Sequence, residues 1–308
     1  MSNLQVVTGA GPVGWTVAEQ LAGRGHRVRV LTRSGSGPEH PLVERRRVDV
    51  SDPARLGPAL EGAGAVYHCI HGSAYRADTW ERELPAAENA VLEAAGRTGA
   101  VVVFPESLYS YSEPDRVMTE ASPRASTTGK RGVRARLLDR RAESDTRTVS
   151  VVASDFFGPH ARNAHAGERM VPTVLAGRSP RVLGSPDVPH SFTYVPDLAA
   201  AMIAAAANPA AWNRVLHAPT GPAGTQRELV AAFAAAAQMP APKVGTIPTW
   251  LLRAAALVNR DARELAEMLY QFTDPFVMDS TYSEDLLGLR PTPLPEAAAA
   301  TVRWWREQ

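Results

Sequence analysis

Cysteine is almost missing from this chain of 308 residues: Cys69 stands alone, which excludes an intramolecular disulfide and suits a reducing compartment. An excess of one charge is missing as well. Lysine and arginine number 33, aspartate and glutamate 32, and the formal net charge is +1. A nucleic-acid-binding chain usually carries a clear basic excess, so no such partner is expected. Long apolar runs are absent too. The most apolar window, DLAAAMIAAAANPAAW, is mostly alanine and is broken at Asn208-Pro209. It is too short and too weakly apolar to span a bilayer, so no membrane partner is expected. The opening residues, MSNLQVVTGAGPVGW, place no basic stretch ahead of an apolar core, so no signal peptide is expected. The expected compartment is the cytoplasm.

What is present is an alternation. LQVVT, HRVRVLT, RRRVDV, AVYHCI, AVVVFPE and RTVSVVAS read as six short strands, and helical stretches separate most of them. The longest of these are GPVGWTVAEQLAGRG, LPAAENAVLEAAGRTG and the segment around Lys130. Strands alternating with helices of this length predict parallel crossover units. The Val-rich strands suit a sheet covered on both faces. The expected fold is α/β, a Rossmann-like doubly wound parallel sheet with a smaller, mostly helical C-terminal substrate domain. After Phe157 the chain turns rich in Pro, Gly and His. Two further strands, SFTYV and WNRVLHA, flank an alanine-rich helix, and the rest is largely helical. The expected division gives 1–158 and 191–218 to a dinucleotide-binding domain and 159–190 and 219–308 to the substrate domain.

The first strand runs into Gly9-x-Gly11-Pro12-Val13-Gly14 at the start of a helix. Gly9 suits a tight turn, Gly11 a close approach of backbone to pyrophosphate, and Gly14 close packing of helix on strand. The helix N-terminus then offers N–H groups and a positive dipole end to phosphate. A purely structural glycine turn is the competing reading. The second strand ends Thr32-Arg33-Ser34, where an NAD site wants an acidic residue for the ribose 2′-hydroxyl. Arg33 can pair with a 2′-phosphate instead, so NADPH is expected over NAD. Arg33 as an ordinary surface residue is the alternative.

VDVSDPARL, GAGAVYHCIHG, VVVFPESLYSYSEP, ASDFFGPH, FTYVPDLAAAM and LGLRPTPLPEA extend the pattern over almost the whole length. With them the chain resembles the extended and atypical short-chain dehydrogenase/reductases, the NAD-dependent epimerase/dehydratase-like branch. The resemblance implies that Asp49 and Val50 flank the adenine and that Cys69, Ile70 and His71 lie near the cofactor ribose. It implies that Ser107 is the catalytic serine, with Tyr111 in place of the motif's tyrosine, and that Ser154 and Asp155 lie beside the nicotinamide. Lys130 would hold the nicotinamide ribose.

The departure from that family is a missing tyrosine. Members carry Tyr-x-x-x-Lys, and this chain carries Ser126-x-x-x-Lys130, a spacing that would put both on one helical face. A tyrosine near pKa 10 can be lowered by an ammonium, whereas a serine alcohol is a far weaker acid. The proton could come from water or from a hydroxyl of the substrate. Tyr109, Tyr111, His160, His165 and His190 are the side chains that could replace it. His68-Cys69-x-His71 is not read as a metal site, because adjacent strand residues face opposite ways.

The expected function is an NADPH-dependent ketoreductase, with Ser107 stabilising the developing alkoxide. An aromatic polyketide or other secondary metabolite is the expected ketone, as for the antibiotic-pathway tailoring ketoreductases that the chain resembles. Ser107, Tyr109, Phe157, His160, Asn163, His190 and Tyr270 are the expected substrate contacts. A nucleotide-sugar epimerase or dehydratase and a non-catalytic NADP-sensing protein are the alternatives. A homodimer is left open.

Overall fold

The structure is a computed structural model and describes residues 4–308. The first half alternates as β1 (Leu4–Thr8), α1 (Pro12–Gly23), β2 (Arg27–Thr32), β3 (Val43–Arg47), α2 (Pro53–Leu60), β4 (Ala63–His68), α3 (Ala77–Thr98), β5 (Val101–Ser107), α4 (Gly129–Ala142) and β6 (Thr148–Ala153). The chain continues through β7 (Asp155–Phe157), α5 (Val171–Leu175), β8 (Arg181–Leu183), β9 (Phe192–Tyr194), α6 (Val195–Ala207) and β10 (Arg214–His217). It closes with α7 (Gln226–Ala236), β11 (Gly245–Ile247), α8 (Thr249–Ala255), α9 (Arg260–Ala266), α10 (Tyr270–Thr273), α11 (Thr281–Leu287) and α12 (Leu294–Arg306).

Seven strands form one parallel sheet in the order β10-β6-β5-β4-β1-β2-β3. This is the Rossmann-like doubly wound sheet. Its central strands are largely buried, with Val6, Val7, Val66, Val102, Val103, Val149 and Val151 all at 0% exposure. Helices on both faces demand such continuous apolar strands. One face packs α1 and α6 through Val17, Leu21, Leu198 and Met202, and the other packs α2 and α3 through Leu56, Leu60 and Val91. Strand order reverses between β1 and β4, which opens a crevice beyond their carboxyl ends, where ligands of such sheets bind. A separate core joins Phe157, Met170, Val174, Phe233 and Val302 beneath α5, α7 and α12. The short pairs β7–β9 and β8–β11 lie outside the main sheet.

Three local expectations shift. The third strand covers Val43–Arg47 instead of ending at Val50. The third helix begins at Ala77 and runs through Pro85. The tertiary burial of Trp80 and Leu84, each 1% exposed, outweighs the interior proline there. Finally, Ser126 and Lys130 do not share a helical face. The helix starts at Gly129, which takes a left-handed φ of 58°, and Ser126 lies before it with its hydroxyl donated to Tyr111 O at 3.3 Å. Ser126-Thr127-Thr128 are cap formers rather than helix formers.

Candidate active site

The glycine loop meets the reversal point of the sheet. Gly9 has φ 88°, and a Cβ there would lie 2.9 Å from Cys69 O. A Cβ on Gly14 would lie 2.1 Å from Gly9 O, so helix and loop touch through these two residues. A Cβ on Gly11 would meet nothing within 4 Å. Gly11 caps α1 without any side-chain hydrogen bond, and the first turn carries Pro12 and no acidic residue. Open space before an uncapped helix N-terminus fits a pyrophosphate. Val13 and Gly14 pack on the sheet side of this turn, and half-buried Cys69 and Ile70 back it from β4.

At the far end of β2, Arg33 and Ser34 are exposed. Arg47, not singled out by the sequence pattern, donates from Nε to Ser34 O at 3.0 Å and lies against Gly35. The exposed Asp49 accepts from Ser51 N at 3.0 Å and Ser51 Oγ at 2.7 Å. These bonds, with the charge of Arg33, hold its carboxyl below the usual range. Val50 is buried behind it, packed with Leu56.

On the other side of the crevice, Ser107 ends β5, and its backbone N–H donates to Glu106 Oε1 at 2.8 Å. Its Oγ reaches the same oxygen at 3.4 Å. Glu106 is buried and held by Arg141 at 2.9 Å and Arg134 at 3.4 Å, and Arg141 is also paired with buried Glu88. The serine therefore stands on a buried charge network anchored in α3, α4 and β5. No sequence motif marks Glu106.

Tyr109 faces the crevice from the turn after β5. Its hydroxyl shares a 2.9 Å hydrogen bond with that of Tyr75, a residue that no sequence motif marks. Trp80 stacks on Tyr109 and meets Tyr75 and His71 edge-on. Tyr75 keeps 40% of its surface and His71 is exposed. Burial still lowers the imidazole of His71 to about 4, and burial with the charge of Asp155 pushes Tyr109 up to about 12. Burial, Tyr109 and nearby carboxylates raise Tyr75 further.

Lys130 is not free in this crevice. Its side chain is 0% exposed, and its ammonium donates to Glu264 O at 2.8 Å, Glu264 Oε2 at 2.6 Å and Glu267 Oε2 at 2.7 Å. All three ammonium protons are thereby used. The ammonium lies 4.8 Å from the centre of the Tyr75 ring. The expectation of a cation turned to the ribose misses two carboxylates 134 and 137 residues away, on and just after α9.

Asp155, His190, Tyr109 and Tyr270 do come together. His190 Nε2 lies 2.9 Å from Asp155 Oδ2, and burial, with the charge of Asp155 adding to it, raises the pKa values of both Tyr109 and Tyr270. Ser154 is buried next to Asp155, and its N–H donates to Thr193 Oγ1 at 3.0 Å. Other expected substrate contacts lie elsewhere. His160 is wedged between Trp15 and Trp304 at 5.2 and 5.1 Å, outside this cluster. Asn163 is exposed beside it in the sequence. Phe157 is 2% exposed and packs on Tyr194 and Phe233, as a core residue. Tyr111 is fully buried, with its hydroxyl 2.6 Å from His217 Nε2. Among the described residues, no group of three or more His, Cys, Asp or Glu could hold a metal ion, and no helix is long and apolar enough to cross a membrane.

Residues 5–216 match the family described as the NAD dependent epimerase/dehydratase family. No curated protein matches the chain. Solved structures similar to it include gox2253, at 21% identity and a TM-score of 0.78, with 99% of this chain and 98% of that one covered. The UDP-glucose 4-epimerase of Thermotoga maritima with UDP-glucose has 18% identity and a TM-score of 0.75, covering 99% of both chains. The Bordetella bronchiseptica enzyme WbmH in complex with NAD+ has 19% identity and a TM-score of 0.73, covering 99% and 98%. At these identities the likeness is one of fold.

Proposed function

Because the chain belongs to the NAD dependent epimerase/dehydratase family, we propose that it is a reductase that uses NADPH to reduce a ketone on an aromatic secondary metabolite. The nicotinamide cofactor supplies the hydride. Residues 1–158 and 191–218 hold the dinucleotide, and 159–190 with 219–308 complete the substrate side. Ser107, fixed by Glu106 at 2.8 Å from its backbone N–H, would exchange the long 3.4 Å bond of its hydroxyl to Glu106 for one to the developing alkoxide.

One observation carries this reading over an epimerase or dehydratase. Epimerases and dehydratases must first take a proton from a sugar hydroxyl, which calls for a tyrosine made acidic by a lysine. Here Lys130 is tied to Glu264 and Glu267, and the crevice tyrosines are raised instead of lowered. Their raised pKa values disfavour Tyr75 and Tyr109 as bases near neutral pH. Reduction can still finish with a proton from water or from a hydroxyl next to the substrate ketone.

The test is NADPH consumption with aryl ketones that differ only in a hydroxyl beside the carbonyl. The hydroxylated ketone should turn over faster, and Tyr75→Phe and Tyr109→Phe should each retain activity. Ser107→Ala should lose up to about 100-fold, the low end for an oxyanion donor, because the substrate shares that bond. Equal rates on both ketones, together with a dead but folded Tyr→Phe variant, would make that tyrosine the displaced acid.

NADPH preference rests on Arg33 and Arg47 around the loop of Ser34 and Gly35. Arg33→Ala should weaken NADPH about tenfold or more, as for a lost charge-assisted hydrogen bond, and leave NADH nearly unchanged. Equal weakening of both in a fluorescence titration would remove Arg33 from the 2′-phosphate.

A further inference from the structure

His190 is held on every side. It is fully buried, parallel to Phe272 with ring centres 5.3 Å apart, and flanked by Phe192 and Phe276. Its backbone exchanges hydrogen bonds with Gly224 at 2.7 and 3.1 Å. Nδ1 lies 2.9 Å from Gln271 O, an acceptor, and so donates to it. Nε2 faces Asp155 Oδ2 at 2.9 Å, a contact that also needs a proton. The histidine thus fixes one carboxylate oxygen of Asp155 and orients the other. Oδ1 makes no hydrogen bond among the described residues, and the side chain keeps 19% of its surface.

Other polar atoms nearby are left without partners. Ser154 Oγ, Gln271 Oε1 and Tyr270 OH are buried and have no hydrogen-bond partner among the described residues, although the Gln271 amide lies close to the Tyr109 hydroxyl. Gln271 is 2% exposed and Ser154 6%. Gln271 links directly to the pair through its carbonyl, and the hydroxyls of Tyr109 and Tyr270 both feel the charge of Asp155. Buried polar atoms are almost always paired, so such exceptions on residues joined to an oriented carboxylate point to a missing ligand. Two of these atoms, Asp155 Oδ1 and Gln271 Oε1, can only accept. Their complement is a donor: an anion would meet the carboxylate, and a cation would meet the Arg131 guanidinium that lies 4.8 Å over the Tyr270 ring. The Tyr109 ring, stacked on Trp80, supplies aromatic surface beside them.

We infer that the recess between β7 and α10 is a subsite for a hydroxyl group of a neutral aromatic substrate, with Asp155, clamped by His190, as its specificity-determining acceptor. This deepens the reductase reading, and it moves Asp155 from the cofactor, where the family resemblance put it, to the substrate. The subsite rewards a substrate hydroxyl and excludes a carboxylate or phosphate at the same position.

The test is calorimetric binding, without turnover, to the protein with NADP present. The probes are 2-acetylnaphthalene and its derivatives with a hydroxyl or a carboxylate at carbon 6. The native protein should bind the hydroxyl compound about tenfold more tightly than the parent, and the carboxylate least, as expected for a charge-assisted hydrogen bond. Asp155→Leu should abolish that preference, and Asp155→Asn should admit the carboxylate. If Asp155→Leu fails to fold because it strands His190, Gln271→Met removes the neighbouring acceptor and should shrink the preference at least threefold. Native protein that binds all three alike, or does not bind the hydroxyl compound, overturns the subsite. So does a folded Asp155→Leu that keeps the preference. A protein with this preference that never reduces a ketone would lose the reductase reading and keep the subsite.

Discussion

Gly11→Val should abolish dinucleotide binding while leaving the fold and the melting temperature intact, and Gly14→Val should do damage of a different kind. The two glycines are three residues apart in one loop, yet a side chain on each meets a different world. Gly11 has a φ of −71°, which any residue adopts, and its Cβ direction is empty to 4 Å. A valine there fits the protein and fills the place reserved for pyrophosphate. At Gly14 the added carbon would lie 2.1 Å from Gly9 O and 3.1 Å from the Cys69 Cβ. Backbone cannot yield as a flexible side chain can, so the cost should exceed about 3 kcal/mol, the upper range for overpacking. Thermal melts paired with an NADPH fluorescence titration separate the two outcomes. A Gly11→Val protein that melts normally and binds NADPH normally would remove the dinucleotide site from this loop.

That loop was legible in the sequence because its meaning is local. Glycine spacing, the preceding strand and the following helix all lie within Leu4–Gly23, and parallel strands announce themselves by valine runs such as AVVVFPE. The crevice wall was legible only in part. Tyr109 and His190 were named, but Tyr75 becomes their neighbour through a turn after β4 that has no pattern of its own. Gln271 joins through its backbone carbonyl, an atom every residue carries. His160 misled because a histidine near the substrate-side loop looks free, whereas Trp15 and Trp304 arrive from α1 and α12 to enclose it. Lys130 misled most. Its place after Ser126 suggested a helical face, and its real partners lie more than 130 residues on.

Those partners set the second large effect: Lys130→Met should destabilise the protein by about 3 kcal/mol and leave NADPH affinity nearly unchanged. Removing one member of a buried ion pair typically costs about 3–5 kcal/mol, because the remaining charge stays buried without compensation. The lower end applies here, since the side chains of Glu264 and Glu267 keep 13% and 28% of their surface and can turn partly to water. The loss also loosens α9 from the chain around it. Lys130 N donates to Glu267 Oε1 at 3.0 Å, and the Ala77 N–H at the start of α3 donates to Glu264 Oε2 at 3.2 Å. Combining Lys130→Met with Glu264→Gln and Glu267→Gln removes the stranded charges, and most of the lost stability should return, as it does when all members of a buried charge cluster are replaced together. Cofactor affinity should move by no more than about twofold in either protein, the scatter expected between uncoupled sites. A single variant with native melting and a strongly raised NADPH constant would return Lys130 to the ribose and free the two glutamates for another role.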